Sequence, residues 1–393
     1  MLISLRGASL LPYGAHFKPF NFGPAGSGMI RRVTFCGEVN TFTGFGQHSI
    51  AIMESLEKNG FFALLRPFTF HSDPSKRVPP WIIGRIVKSI QPELTEVTLS
   101  PIISERVPTV GKYTIYFTMW ESTLLPKRFV QLLNSCQHVV VPCQWCRDTF
   151  VESGVKRPME IVRLGYDPDV YKVSEQTFDG PFIFGAAGNL RNGVTRKGVL
   201  DVIEAFNLAF PKDKDVVLCI KCGDGDAVES LRDYRVHLCK TFMPEKRLAE
   251  WYRGINCFVS AARSEGFGLM QLQAMATGRP VIGTGYSGMA EFMSADNSFL
   301  LEYDLEDSQE AWLGCGQWAR PRMDCLVETM RFVKSNPDRV LAKSIAAGNS
   351  VSGFTWDDVN KPLIELVSEY EKAGAKRNGE QLHGLQRAPV PCG

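Results

Sequence analysis

Short apolar blocks alternate with longer amphipathic ones along most of the chain. Arg31–Gly37 (RRVTFCG) is a β-rich run closed by glycine, and the loop EVNTFTGFG leads from it into a helical stretch over Gln47–Lys58. Phe61–Leu65 predicts a strand, Trp81–Ile90 a helix and Tyr113–Phe117 another strand. Pro126–Asn134 predicts a helix with proline in its first turn. His138–Val141, Gln144–Glu152 and Glu160–Leu164 read as strand, helix and strand. The polar stretch Asp167–Gly180 predicts a linker, after which the alternation restarts. Strands are expected at Phe182–Ala186, Val216–Lys221, Cys257–Ser260 and Val281–Ile282, with helices at Val199–Phe210, Pro244–Arg253 and Leu269–Thr277. Gly278 ends the last of these helices, and Phe354–Lys372 predicts a late one. Such alternation predicts mostly parallel sheets.

The expected organisation is an N-terminal extension at 1–30, a first Rossmann-like unit at 31–168 and a second at 181–353. A C-terminal helix at 354–372, packing back on the first unit, and a flexible polar tail at 373–393 complete it. Two successive doubly wound α/β units predict a cleft between them, with ligands at the C-terminal strand ends.

Composition sharpens this picture. Of 393 residues 44% are hydrophobic and 22% charged, which excludes disordered, collagen-like and coiled-coil chains. The net charge of +2 hides an asymmetry: residues 1–170 carry 18 Lys/Arg against 13 Asp/Glu, and the rest carry 26 against 29. The first half is therefore suited to an anionic partner, a membrane surface included. Eleven scattered cysteines point to a reducing cytoplasm rather than a disulfide framework. No apolar run approaches the roughly 18 residues that span a bilayer. The first segment, broken by Gly, Pro, His and Lys, does not read as a signal peptide. Cys143-x-x-Cys146 and Cys219-x-x-Cys222 lie 72 residues apart, far beyond the usual separation of zinc-binding pairs, and read as structural thiols. No metal site is expected.

The chemistry concentrates in Ser264–Ile282, SEGFGLMQLQAMATGRPVI. A strand ends, a loop with Gly266 and Gly268 follows, and a helix starts near Leu269. Glycines there let backbone approach a ligand, and unpaired helix N–H groups suit a phosphate or diphosphate. Glu265 at the strand end can accept hydrogen bonds from sugar hydroxyls, and Gln273 can reach the far end of the same ligand. His48, just after the first glycine loop, is a further candidate ligand contact, balanced by a local structural role.

This stretch resembles the group 1, GT-B-type retaining glycosyltransferases, whose signature is Glu-x7-Glu within EGFGLxxLEAMAxGxPVI. The resemblance extends to FGAAGNLRNGVTRKGVLDVIEAF (Phe184–Phe206), CIKCGDGD (Cys219–Asp226), GYSGMAEF (Gly285–Phe292), TGFG (Thr43–Gly46) and RLGYDPDVY (Arg163–Tyr171). It implies a GT-B fold of two Rossmann-like domains facing across a cleft. It implies transfer of a sugar from a nucleotide-diphosphate sugar, a UDP-sugar by family frequency, to an acceptor hydroxyl. Anomeric configuration is retained and neither metal nor cofactor is needed.

Carried over residue by residue, it implies that Arg191 and Lys197 neutralise the diphosphate, with Arg196 able to trade places with Arg191. Glu265 would hold donor-sugar hydroxyls. The backbone of Phe267, Gly268 and Leu269 would bind sugar and phosphate, Gln273 the ribose, and Gly223 the donor. Gly44 and Gly46 would let the first-half backbone approach the phosphates. Two positions depart from the pattern. The second Glu of the motif is Gln273, and the histidine many members place after the strand at Phe117 is absent from FTMWES, where Glu121 becomes the candidate catalytic carboxylate. The expected acceptor is a glycan or lipid-linked glycan, with hydroxymethylated DNA bases as the alternative. The competing readings are a GT-B epimerase and a non-catalytic sugar-nucleotide-binding module.

Overall fold

The computed structural model describes residues 31–39, 43–67, 79–86, 97–100, 113–188, 196–223, 233–241, 243–308 and 315–385, the last stretch from 375 onward as backbone path alone. Arg191, the 1–30 extension, Asp224–Asp226 and the end of the tail lie outside the described residues.

The first unit runs β1 (Arg31–Gly37), α1 (Gly44–Lys58), β2 (Phe61–Pro67), α2 (Pro80–Ile83), β3 (Val97–Ser100), β4 (Tyr113–Phe117), α3 (Lys127–Ser135), β5 (His138–Val141), α4 (Gln144–Glu152) and β6 (Met159–Ile161). Its sheet has the order β2-β1-β3-β4-β5-β6, and every pairing is parallel. The central strands β3 and β4 are buried along their whole length, as helices on both faces require.

The second unit runs β7 (Phe182–Ala187), α5 (Val199–Ala209), β8 (Val216–Cys222), β9 (Val236–Lys240), α6 (Glu245–Arg253), β10 (Cys257–Ser260), α7 (Leu269–Ala276), β11 (Val281–Thr284) and β12 (Phe299–Leu301). Its order is β12-β11-β10-β7-β8-β9, again all parallel. Strand order reverses between β7 and β10, so the C-terminal ends of these two strands border the crevice where such sheets take ligands. A hairpin, β13 (Tyr303–Asp307) with β14 (Gln317–Pro321), precedes α8 (Met323–Ser335) and α9 (Pro337–Ser350).

The chain then returns through α10 (Trp356–Val359) into α11 (Lys361–Leu385). The single helix expected over 354–372 is thus split, and its second piece runs thirteen residues into the stretch expected as tail. Thr355 caps α10 by accepting from the Asp358 N–H, and Asn360 closes it, which breaks the run. The long helix rests on the first sheet. Arg31 pairs with Glu371 at 3.2 Å and donates to Ser368 Oγ, while Leu363 and Val367 are buried in the first core.

The outgoing and returning crossings lie side by side. Tyr166 donates to the Phe354 carbonyl at 3.0 Å and accepts from Trp356 N–H at 3.2 Å. Further ties join the halves. Thr123 N–H donates to Gln317 O, Ser122 Oγ donates to Cys315 O, and Arg163 pairs with Glu291 at 2.6 Å.

The start of α5 shows how tightly the second unit closes on itself. Gly198 has φ +61°, and a Cβ there would stand 2.1 Å from the Ala261 carbonyl oxygen beyond β10. Only glycine meets both demands. Gly198→Ala should shift the midpoint of urea unfolding downward by an amount equivalent to about 3 kcal/mol. An unchanged midpoint would mean that α5 does not approach β10 in this way.

Candidate functional site

Glu265 is the residue around which the crevice is built. It follows β10 and is 7% exposed. Lys197 Nζ donates to its Oε1 at 2.5 Å, and Arg196 Nη1 donates to its Oε2 at 3.1 Å. Arg196 also donates to the Ser264 carbonyl at 2.8 Å and stands 3.9 Å from Glu121 Oε1, contributed by the first unit. Burial works against the Glu265 charge, but the Lys197 and Arg196 cations outweigh it and hold the carboxyl below its ordinary value.

The backbone around Glu265 is fixed as well. Its N–H donates to Ser287 Oγ at 3.0 Å, and its carbonyl accepts from Gly288 N–H at 3.0 Å. Ser287 holds φ +55°, a left-handed conformation unusual outside glycine. A Cβ on Gly288 would come within 2.5 Å of the Gly266 oxygen and Phe267 Cα, so the GYSGMAEF turn packs directly beneath the GFG loop. From the first unit, the Cys143 and Cys146 thiols both lie 3.4 Å from the Gly266 carbonyl as donors. Both cysteines are buried, Cys143 caps α4, and their role here is to seat this loop. Among the described residues no three His, Cys, Asp or Glu side chains gather as a metal site.

Glu265, its two cations, Glu121 and the GFG loop line a cleft of about 380 Å³ between the two sheets. Of the candidates, Gly44, Glu121, Arg196, Lys197, Glu265, Phe267, Gly268, Leu269 and Gln273 all lie on its wall. Gly46 and Gly223 do not. Gly46 is buried in the first turn of α1, and its N–H is taken by the capping Thr43 Oγ1 at 3.0 Å. That amide is therefore already bonded within the protein rather than offered to a phosphate. Gly44 stands opposite α7, where a Cβ would sit 3.5 Å from Leu269 Cδ2. Gln273 reaches across the cleft, and its Nε2 donates to Gln47 Oε1 of α1 at 3.1 Å, with both side chains buried.

The wall also holds residues outside the motif. Lys221 is the last residue but one of β8, a lysine in the otherwise apolar run VVLCIKC. His48 is fully buried, its ring edge-on to Phe117 at 4.4 Å between centroids, and neither ring nitrogen has a partner. Burial pushes its pKa down to about 3, so the ring is neutral at ordinary pH. The sequence signal for Lys221 was a charge inside a buried strand pattern. For His48 it was only a place after a glycine loop.

With this geometry in view, comparison with known proteins is decisive for the second unit. Residues 181–313 match the family described as Glycosyl transferases group 1. That match lies within the second unit and covers about a third of the chain. The D-inositol 3-phosphate glycosyltransferase of Thermobispora bispora is 29% identical over 126 residues, which is 32% of this chain and 26% of that protein. The alpha-maltose-1-phosphate synthase of Mycolicibacterium smegmatis is 23% identical over 237 residues, 55% of this chain and 57% of its own. The lipopolysaccharide core biosynthesis mannosyltransferase LpsB of Rhizobium meliloti is 45% identical over 47 residues, 12% of this chain and 13% of that one. The chain spans about a quarter of the length of the first curated relatives it matches.

The fold similarity is broader. A sucrose-phosphate synthase from Thermosynechococcus elongatus superposes with a TM-score of 0.64 at 14% identity, covering 87% of this chain and 100% of that one. Anabaena HepE, solved with UDP and glucose, gives 0.62 at 15%, covering 86% and 100%. The two Rossmann-like units thus form a GT-B fold, with the group 1 domain as the second unit.

The site makes a prediction for acid stability. His48 has a folded pKa of about 3 against an ordinary 6.5, so between these values the unfolded chain binds the extra proton. Its contribution to stability is present above pH 6.5 and declines as pH falls toward 3. His48→Phe should therefore lose less melting temperature than the parent between pH 7 and pH 4.5. Equal losses would show that the ring does not sit neutral in the fold.

Proposed function

We propose that this chain is a glycosyltransferase that moves a sugar from a nucleotide-diphosphate sugar to an acceptor hydroxyl with retention of configuration. The observation that carries this reading is the Glu265 carboxylate clamped by Lys197 and Arg196 beside the α7 N-terminus, within the cleft between two parallel sheets. Glu265 is suited to accept hydrogen bonds from donor-sugar hydroxyls. Lys197, Arg196 and the backbone at Gly268 and Leu269 are suited to the diphosphate.

In this mechanism the bond from the anomeric carbon to the diphosphate oxygen breaks as the carbon becomes oxocarbenium-like. The side-chain cations meet the growing negative charge, so no metal is called for. The acceptor oxygen attacks the same face, and its proton passes to the departing phosphate. Glu121, joined to Arg196 across the cleft, is placed to orient the acceptor or to stabilise the cationic sugar. Gln273 offers an amide to the ribose once its bond to Gln47 is exchanged.

HepE was solved with UDP and glucose, which favours a uridine diphosphate donor here. The printed names of the relatives, a lipopolysaccharide core mannosyltransferase among them, favour a glycan or lipid-linked glycan acceptor.

A thermal-shift panel of nucleotide sugars and free nucleoside diphosphates, without added metal, tests the donor. One nucleotide should raise the melting temperature selectively, since binding to the folded state alone stabilises it. No shift at millimolar concentration would overturn the reading. With the donor in hand, Glu265→Gln and Lys197→Ala should each lower kcat/KM about 100-fold on an active acceptor. At saturating donor, activity on a neutral glycan should be unaffected by salt, whereas a steep loss with salt would point to DNA as acceptor. Gln273→Glu should tighten donor binding by restoring a charge-assisted bond to the ribose. Unchanged affinity would remove Gln273 from the donor site.

A further inference from the structure

The cations of the cleft are not equally occupied. Lys197 and Arg196 both spend their hydrogen bonds on Glu265, and Arg196 also faces Glu121. Lys221, on the same wall, has no hydrogen-bond or ion-pair partner for its ammonium among the described residues. The described wall therefore holds three cations against two carboxylates, and Lys221 is the one left over.

Its position is set by the sheet. Along β8 the alternate residues Val216, Leu218, Ile220 and Cys222 are buried in the second core, which turns Lys221 to the other face. Lys221 is paired in register with Ala187, the last residue of β7, and its carbonyl accepts from Gly188 N–H at 3.1 Å. A Cβ on Gly188 would in turn lie 3.1 Å from Lys197 Cβ. Lys221 thus stands where the loop after β7 leaves the sheet, one glycine away from Lys197. A half-buried ammonium with no counter-ion among the described residues is costly, and burial indeed pulls its pKa below the ordinary lysine value. An apolar residue would cover this face of β8 without that cost.

We propose that Lys221 is a donor-binding residue, a third cation that contacts the diphosphate of the nucleotide sugar. This rests on the nucleotide-sugar reading above and deepens it. Lys197 and Arg196 keep Glu265 in place, and Lys221 supplies positive charge that no described residue neutralises. As the donor's diphosphate arrives, the Lys221 ammonium regains the anion partner that burial denies it. Its three N–H groups act as a compact point charge rather than a planar fork.

The test is calorimetric titration of the full chain with UDP, GDP and ADP, and with the matching free nucleosides. The parent, Lys221→Gln, Lys221→Met and Lys221→Arg are compared, each with its melting temperature recorded. For the diphosphate that binds the parent, Lys221→Gln and Lys221→Met should raise Kd about tenfold. Lys221→Arg should keep most of the affinity, and the slope of log K against log salt should be shallower in the two neutral variants. Binding of the free nucleoside should not change, which a merely structural role for Lys221 would not produce. Parent affinity should weaken in alkaline solution at lower pH than that of Lys221→Arg, since the buried ammonium deprotonates early. Equal diphosphate affinity in the parent and both neutral variants overturns this inference and leaves the glycosyltransferase reading standing. A parent that binds none of the three diphosphates overturns both.

Discussion

One buried carboxylate organises this molecule. Glu265 lies in the loop that follows β10, beside the point where the second sheet reverses its strand order, and it is kept charged by Lys197 and Arg196 from the segment ahead of α5. A carboxylate so deeply placed is tolerable only while both cations stay. That requirement fixes the loop carrying them, and Gly198 lets α5 start in direct contact with β10. Through Arg196 the same network reaches Glu121 on the first unit. The electrostatics of the cleft and the juxtaposition of the two halves are thus one problem with one solution.

Much of this was legible in the chain. The strands β1, β4, β5 and β10 and the helix α4 lie at the residues the hydrophobic pattern predicts, because each is a compact apolar or amphipathic run between turn residues. The GFG loop could be placed because strand, glycines and helix follow one another within a few residues. β3 was not legible. Its four residues, VTLS, alternate apolar and polar, but the run is too short to stand out beside the polar stretch before it, and their pairing between β1 and β4 makes them a strand. The hairpin β13–β14 is mostly exposed, polar and tied by Arg322 to Asp304 and Glu302, so apolar spacing carries no sign of it. α8 is different: Leu326, Val327, Met330 and Val333 are buried at helical spacing, a signal present in the sequence.

The candidate site divides along the same line. Glu265, Phe267, Gly268, Leu269 and Gln273 come from one continuous stretch and could be grouped before any fold was known. The neighbourhood of Lys221 could not, since it depends on β8 pairing with β7 in a particular register. Gln273 shows the converse limit. Its place on the cleft wall follows from the motif, but its bond to Gln47 depends on how the two halves meet. Gly46 fits the glycine pattern of a phosphate loop, yet the Thr43 cap claims its amide, because α1 begins at Gly44, three residues before the helical stretch that the pattern predicts.

The two chain crossings between the halves have a mechanical consequence. Tyr166 on the way out and Phe354 and Trp356 on the way back are bonded to one another as neighbouring strands are. Two tethers fastened side by side behave as a door hinge rather than a ball joint. They permit rotation about one axis and resist twisting and sliding, so the relative motion of the halves has essentially one degree of freedom. Along that single coordinate the Gln47–Gln273 amide bond is one of several contacts that opening must break, the Arg163–Glu291 and Arg196–Glu121 pairs among them. Because two of these contacts are ion pairs, opening should become easier as ionic strength rises.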